Sequence, residues 1–170
     1  EGWCAIFNGL RDNKENKIAK WDLNNQKLDA EVAKAIGEYV AVSSVLTELN
    51  IGDNPLGEDG VRFLTASLES NTALKKLDLH NQYGNEEFKI GPSGAKFVAK
   101  MLAANSALTS LNLEWNHIGV EGAKAISDAL RVNSVLMSLN IASNALCGIK
   151  YGRGTYDATG IKAIAEALHV

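Results

Sequence analysis

An α/β solenoid of stacked strand–loop–helix repeats is the fold class this sequence predicts. Three observations predict it. The first is a period: Leu46, Leu49, Ile51, Asn54, Leu56, Gly60, Leu64 and Leu68 return in the same spacing as Leu108, Leu111, Leu113, Asn116, Ile118, Gly122, Ile126 and Leu130. Copies start near residues 18, 46, 74, 108 and 136, and the uninterrupted unit is 28 residues long. The second is alternation at the start of each unit. In the fourth copy Leu111 and Leu113 point one way, Ser110 and Asn112 the other, which is a short strand with one buried face. The third is a stripe at helical spacing in the second half, here Ala123, Ile126, Ala129 and Leu130. A fixed period of this length marks an array whose units bury their apolar faces against one another. A helix separates each strand from the next, so the strands must lie parallel.

The elements follow in order. Residues 1–12, EGWCAIFNGLRD, read as an amphipathic helix with Trp3, Ile6, Phe7 and Leu10 on one side. It is the helix of a part-repeat or a cap, within residues 1–17. Strands are predicted near 20–23, 48–51, 76–79, 110–113 and 138–141, each followed by a helix on the opposite face. Together, residues 1–170 are expected to form one repeat domain. Asn54, Asn116 and Asn144 follow the strands where the backbone turns and loses its sheet partners. Their amides can both donate and accept, so stacked copies can satisfy those groups. A second series, Asn71, Asn105 and Asn133, with Asn13 in the equivalent place after Leu10, stands where helices stop. The left-handed conformation that asparagine tolerates is the expected reason. Gly60, Gly94, Gly122 and Gly160 recur near helix starts, with Val32 replacing them in the first unit. Gly weakens a helix, so close packing between helix and strand layer is expected there. Leu23 lies near the start of the array and is expected to be less enclosed than Leu111.

The segment Leu108–Ile118, LTSLNLEWNHI, matches the signature L-x-x-L-x-L-x-x-N/C-x-L with Ile in the last place. On that motif, the sequence resembles a leucine-rich repeat protein. The 28-residue period and the GxxxLxxxL helix resemble the ribonuclease-inhibitor-like subclass, which includes the ribonuclease inhibitor, Ran GTPase-activating proteins and the repeat domains of NOD-like receptors. The resemblance covers residues 18–170. It implies a right-handed βα horseshoe, with parallel strands on the concave side and helices on the convex side.

The formal net charge of −3 offers nothing to a nucleic-acid backbone, and no apolar run reaches the length of a membrane span. Cys4 and Cys147 lie at opposite ends of the array and are expected to remain unpaired, which fits a cytoplasmic setting. The sequence starts without Met, and no polar capping repeat follows the fifth helix. It is expected to be an excerpt of a longer protein, because array ends need caps.

Two insertions interrupt the period at one place. The third unit carries six extra residues between Leu79 and Gly94, and the fifth carries ten between Asn144 and Gly160. Both leave the strand-to-helix loop, hence the same rim of the array, and such insertions often mark a binding face. They hold Tyr83, Tyr151 and Tyr156 together with Phe88 and Arg153. Between them the fourth unit presents Trp115, where the other copies have Asn25, Asp53, Asn81 and Ser143. Tyr, Trp and Arg are favoured interface anchors, so these residues, joined by the outward His80 and Glu114, form the candidate protein-binding rim. The same aromatics would also serve to close the loops against the array itself. The concave face is the other candidate surface, with its central column Asp22, Asn50, Asp78, Asn112 and Asn140.

No catalytic or cofactor site is expected. The three histidines, His80, His117 and His169, form no legible triad with a serine, and no Cys/His spacing suits a metal. Gly152-Arg153-Gly154 matches neither a phosphate loop nor a dinucleotide fingerprint, and GDNPLGEDG at 52–60 lacks the ligand alternation of a calcium loop. The expected function is therefore a protein-interaction module or scaffold whose partner is another protein. The alternatives are a contact regulator of a GTPase, by fold analogy with Ran GTPase-activating proteins, and a structural spacer in a larger sensor.

Overall fold

The computed structural model describes residues 2–83 and 88–168. Among the described residues, six helices and five strands alternate. They are α1 (Gly2–Asp12), β1 (Lys20–Asp22), α2 (Ala30–Val42), β2 (Glu48–Asn50), α3 (Gly57–Leu68), β3 (Lys76–Asp78), α4 (Gly91–Ala104), β4 (Ser110–Asn112), α5 (Gly119–Leu130), β5 (Ser138–Asn140) and α6 (Thr159–Ala167). All four strand pairs are parallel and follow chain order. Trp21, Leu49, Leu77, Leu111 and Leu139 stand in one register row, as the period requires. Strands on one side and helices on the other enclose a continuous apolar layer running from Phe7 to Ile126.

Two asparagine ladders stitch the turns. The Nδ2 of Asn54 donates to the carbonyls of Leu23, Ile51 and Gly52 at 2.9 Å each, and its Oδ1 accepts from Gln26 and Leu28 of the preceding unit. Asn116 and Asn144 repeat this across later units. The third unit lacks the residue, with Gln82 in its place. There Asn81 is buried instead and donates to the Phe88 carbonyl, while the buried Lys89 donates to the Asn81 carbonyl.

The second series corrects the sequence-based expectation. None of Asn71, Asn105 and Asn133 adopts a left-handed backbone. Asn105 is extended, at φ −76° and ψ 129°. Its Nδ2 donates to the carbonyls of Leu68 and Asn71, and its Oδ1 accepts from Ala107 and Leu108. Asn71 and Asn133 do the same one unit away on either side. These side chains end helices by sewing each return loop to the one before it. Asn13 makes only a local bond, accepting from the Glu15 amide.

The glycine series packs helix against helix, and not against the strand layer. A Cβ on Gly122 would lie 2.8 Å from Ala95 Cβ, and one on Gly60 3.3 Å from Ala33 Cβ, so small residues of neighbouring helices meet there. Gly94 is the exception: a Cβ there would meet only its own Ile90.

The two ends differ. At the start, Phe7 of α1 is buried and stacks among Trp3, Trp21 and Tyr39, with centroids 5.5 to 6.2 Å apart. Asn16 donates to the Tyr39 hydroxyl. Ile6, expected on the inner side, is exposed; Trp3, Phe7 and Leu10 form that face, with Cys4 beside them. This plug covers the first unit, so Leu23 is as enclosed (2 % exposed) as Leu111 (1 %), against the expectation of a looser start. At the other end Leu139, Ile141, Leu146 and Ile164 are only partly buried, and Met137 is exposed.

Candidate functional site

Each unit's strand ends by the same local device. The Oδ1 of Asp22, Asn50, Asp78, Asn112 and Asn140 accepts from the backbone amide two residues on, at 3.0 to 3.3 Å. The polar central column of the concave face is thus a row of Asx turns with a structural task. Around it lies a shallow groove of about 400 Å³ lined by Lys20, Trp21, Glu48, Lys76 and neighbours. Glu48 sits between Lys20 and Lys76, at 3.1 and 3.3 Å, and first Lys20, then Lys76, holds its carboxyl below the usual range.

After the Asx turn the chain enters a left-handed residue. Asn25, Asp53, Trp115 and Ser143 have φ of 53°, 53°, 60° and 56°. That explains the small polar residues at this position, since Asn and Asp tolerate the conformation best. Trp115 holds the same conformation without the short polar side chain that favours it.

The structure sorts the candidate rim residues into two groups. The first gathers on the Asp53 carboxylate. His80 Nδ1 lies 2.8 Å from Asp78 Oδ1 and its Nε2 lies 3.1 Å from Asp53 Oδ2. Asn24 Nδ2 approaches the same Nε2 at 3.4 Å, and the Tyr83 amide donates to Asp53 Oδ1 at 3.1 Å. The His80 ring lies over Gly52, where any Cβ would overlap it. Burial depresses the imidazole pKa, but the hydrogen bond and charge of Asp78, joined by the charge and hydrogen bond of Asp53, outweigh it and raise the value above 6.5. Tyr83 of the third unit is thus tied by its backbone to the second unit, while its side chain is exposed. Residues 84–87 of the third unit's insertion lie outside the described residues, as does His169. Phe88 is half-buried, and its carbonyl accepts from the Asn81 side chain.

The second group lies around Trp115. Trp115, His117, Ser143, Ala145, Ile149, Lys150 and Tyr151 line a hollow of about 210 Å³. His117 meets the Tyr151 ring edge-on, centroids 6.1 Å apart. The fifth unit's insertion is a small hairpin. Lys150 and Arg153 exchange backbone bonds of 2.8 and 2.9 Å, and Tyr151 and Gly152 between them have φ of 50° and 74°. Two positive φ values define a type I′ turn, the one that matches strand twist. The Asp157 amide donates to the Cys147 carbonyl at 2.8 Å and closes the neck. Asp157 then closes a local turn just before α6, accepting from the Thr159 amide and hydroxyl.

Arg153 and Tyr156 are exposed on this hairpin and do not line the hollow. Glu114 accepts from the Asn140 amide on the strand side. Among the described residues, Tyr83 and Phe88 share no ring contact or hollow with Trp115. Sequence reasoning missed Asp53, Gly52 and Asn24 around His80, and His117, Ile149 and Lys150 around Trp115. One signal was available: in the row Asn24, Gly52, His80, Glu114, Ala142, the one glycine stands next to the one histidine.

Cys4 and Cys147 are both free. Among the described residues no helix is long and apolar enough to cross a membrane, and no group of three or more His, Cys, Asp or Glu could hold a metal ion.

Comparison with known proteins supports the repeat assignment directly. Residues 42–64 and 104–127 match the family described as Leucine Rich repeat. Leucine-rich repeat-containing protein 45 of Gallus gallus is 34% identical over 116 residues, 68% of this chain and 16% of that protein.

The chain is a leucine-rich repeat protein.

Leiomodin-2 of Homo sapiens is 35% identical to this leucine-rich repeat chain over 70 residues, 41% of the chain and 13% of leiomodin-2. The chain therefore spans about a sixth or less of the length of these curated relatives. Two solved structures share the leucine-rich repeat fold. Leiomodin-1 Actin-Binding Site 2 superposes with a TM-score of 0.73 at 15% identity, covering 97% of this chain and 86% of that one. The Caenorhabditis elegans tropomodulin C-terminal domain gives 0.66 at 14%, covering 99% and 92%. At those identities the likeness concerns the fold.

Proposed function

We propose that this domain is a protein-interaction module, and that it binds another protein through the rim built by Trp115 and the fifth unit's hairpin. The single observation that carries the reading is Trp115 in a left-handed position that the other units give to small polar residues, facing a hollow walled by Tyr151. Tyr156 and Arg153 extend the same edge as exposed anchors, and a type I′ turn presents them at little entropic cost. Tyr83, Phe88, His80 and Glu114 belong to the proposed rim as its flank toward the second and third units. No catalytic step is assigned to the chain. Its two free thiols support placing it in the cytoplasm, and the 28-residue unit supports the ribonuclease-inhibitor-like subclass.

The test is affinity capture from native lysate with the wild type and a Trp115→Ala, Tyr151→Ala, Tyr156→Ala variant side by side, followed by titration of the partner recovered. Deleting residues 148–156 serves as a second arm. Asp157 is kept because its carboxylate accepts from Thr159, the first residue of α6. The neck is already closed by the Cys147–Asp157 bond, so the shortened chain should fold. Binding should weaken at least tenfold, about 1.4 kcal/mol. A shortened protein that stays folded and binds as before would move the interface to the concave strands.

A second reading follows from the solved structure described as an actin-binding site. It makes actin a partner to try first, by co-sedimentation of the domain with filaments. Regulation of a GTPase by contact has only the family resemblance behind it. Single-turnover GTP hydrolysis by a cognate GTPase, with and without the domain, tests it.

A further inference from the structure

The Asp53 carboxylate holds two partners at once. Its Oδ2 faces the His80 Nε2 at 3.1 Å, and its Oδ1 accepts from the Tyr83 amide at 3.1 Å. The His80 Nδ1 meets Asp78 Oδ1 at 2.8 Å, so the ring spans carboxylates from two units. The imidazolium has a donor for each carboxylate, and the neutral ring has one donor only. Losing the proton therefore forces a choice between them. The Asp78 contact is local and doubly held, since the same oxygen accepts from the His80 backbone amide at 3.0 Å. The neutral ring keeps its hydrogen on Nδ1, toward Asp78, and turns the lone pair of Nε2 on Asp53. Asn24 Nδ2, 3.4 Å from that nitrogen, is placed to donate to it. Asp53 then stands 4 % exposed with no cation beside it. A buried charge that loses its partner is strongly destabilising. Turning the carboxylate to water relieves that cost and takes Oδ1 away from the Tyr83 amide.

We propose that His80 is a proton-operated clasp: as the imidazolium it holds Asp53 in place to bind the Tyr83 backbone, and on giving its proton to water it releases both. The His80 side chain is 23 % exposed, so water reaches the ring. The other charged groups on this face are engaged elsewhere. Glu48 lies between Lys20 and Lys76, Asp22 accepts from Asn50, and Glu114 accepts from Asn140. Among the described residues, the charges that act on the ring are those of Asp78 and Asp53. Burial lowers the ring's pKa, but these two carboxylates outweigh it and raise the value above 6.5. The clasp is therefore closed at pH 6.5 and below, and it opens as pH rises through the raised folded value. The Tyr83 side chain is exposed, so the clasp governs how firmly an aromatic is presented to solvent.

Nuclear magnetic resonance on the isotope-labelled chain tests the clasp, from about pH 5.5 to about pH 8.5, either side of the ordinary imidazole value. Two signals are followed together: the His80 ring protons, and hydrogen exchange at the Tyr83 amide relative to its intrinsic rate. His80 should titrate with a midpoint above 6.5. Protection of the Tyr83 amide should fall about tenfold or more over the same range, with the same midpoint. In His80→Asn that protection should be low at every pH. In Asp53→Asn it should not depend on pH, because a neutral amide oxygen accepts from Tyr83 without a cation beside it, and the His80 midpoint should drop. Asparagine suits the φ of 53° at this position, and the strand amides show that both variants are folded. A Tyr83 amide whose protection stays constant while His80 titrates would overturn the clasp, even if its resonance shifts with the charge on the ring. So would the wild-type loss of protection persisting in His80→Asn, or a His80 midpoint at or below 6.5.

Discussion

At the residue scale, two positions combine a constraint and a consequence. His80 bridges carboxylates from two units, Asp78 on its own strand and Asp53 on the preceding loop, and both ring nitrogens are engaged. The pattern fits the imidazolium, which has two donors. Its pKa is raised in the folded state, so the folded state binds the proton more tightly than the unfolded chain. That stabilisation is complete below the ordinary imidazole value of 6.5 and is lost as pH rises through the raised folded value. Denaturant midpoints of the wild type should therefore fall with pH above 6.5, and those of His80→Asn should fall less. Parallel curves for the two proteins would remove His80 as the source. Trp115 makes the opposite bargain. Its φ of 60° suits Asn, so Trp115→Asn should leave the fold at least as stable, with a gain of up to about 1 kcal/mol, while partner affinity drops. A clear loss of stability in that variant would show that the indole is part of the packing.

At the element scale, the ladder asparagines distinguish this array from a row of separate helices and strands. Asn105→Ala would strip partners from the carbonyls of Leu68 and Asn71 and from the amides of Ala107 and Leu108. Unsatisfied buried groups cost about 1 to 3 kcal/mol each, and water can recover some of them, so the loss should be about 3 kcal/mol or more. Asn13→Ala removes one exposed local bond and should change stability by about 0.5 kcal/mol or less. Urea titration of both variants makes the comparison, and equal losses would contradict the ladder's role. The spacing alone made the positions of both series legible. The mechanism of the second was not, because a side chain that reaches one unit back and a residue that turns left-handed leave the same letter in the sequence.

At the scale of the whole molecule, stability should be distributed unevenly along the array. With the aromatic plug of α1 over the first unit, Leu23 is as enclosed as Leu111. Leu23→Ala and Leu111→Ala should therefore cost similar amounts, about 2 to 5 kcal/mol each, and Leu139→Ala, in the half-covered fifth unit, less than either. Hydrogen exchange should show the same order, with amides of β5 and α6 opening before those of α3 and α4. Uniform protection from β1 to β5 would refute this gradient.

What the sequence determined by itself is the repeat: the period, the parallel strands, the helices behind them and the rim from which both insertions leave. All of these follow from local spacing, because each unit meets its neighbours through the same residues. Tertiary structure alone decided the rest. It placed Asp53 under His80 and tied the Tyr83 amide, in the third unit, to that same carboxylate of the second. It folded the fifth unit's insertion into a hairpin whose Lys150 and Arg153 share one face. Insertions have no period and loop direction depends on contacts between units, so no spacing within one unit could state where those side chains meet.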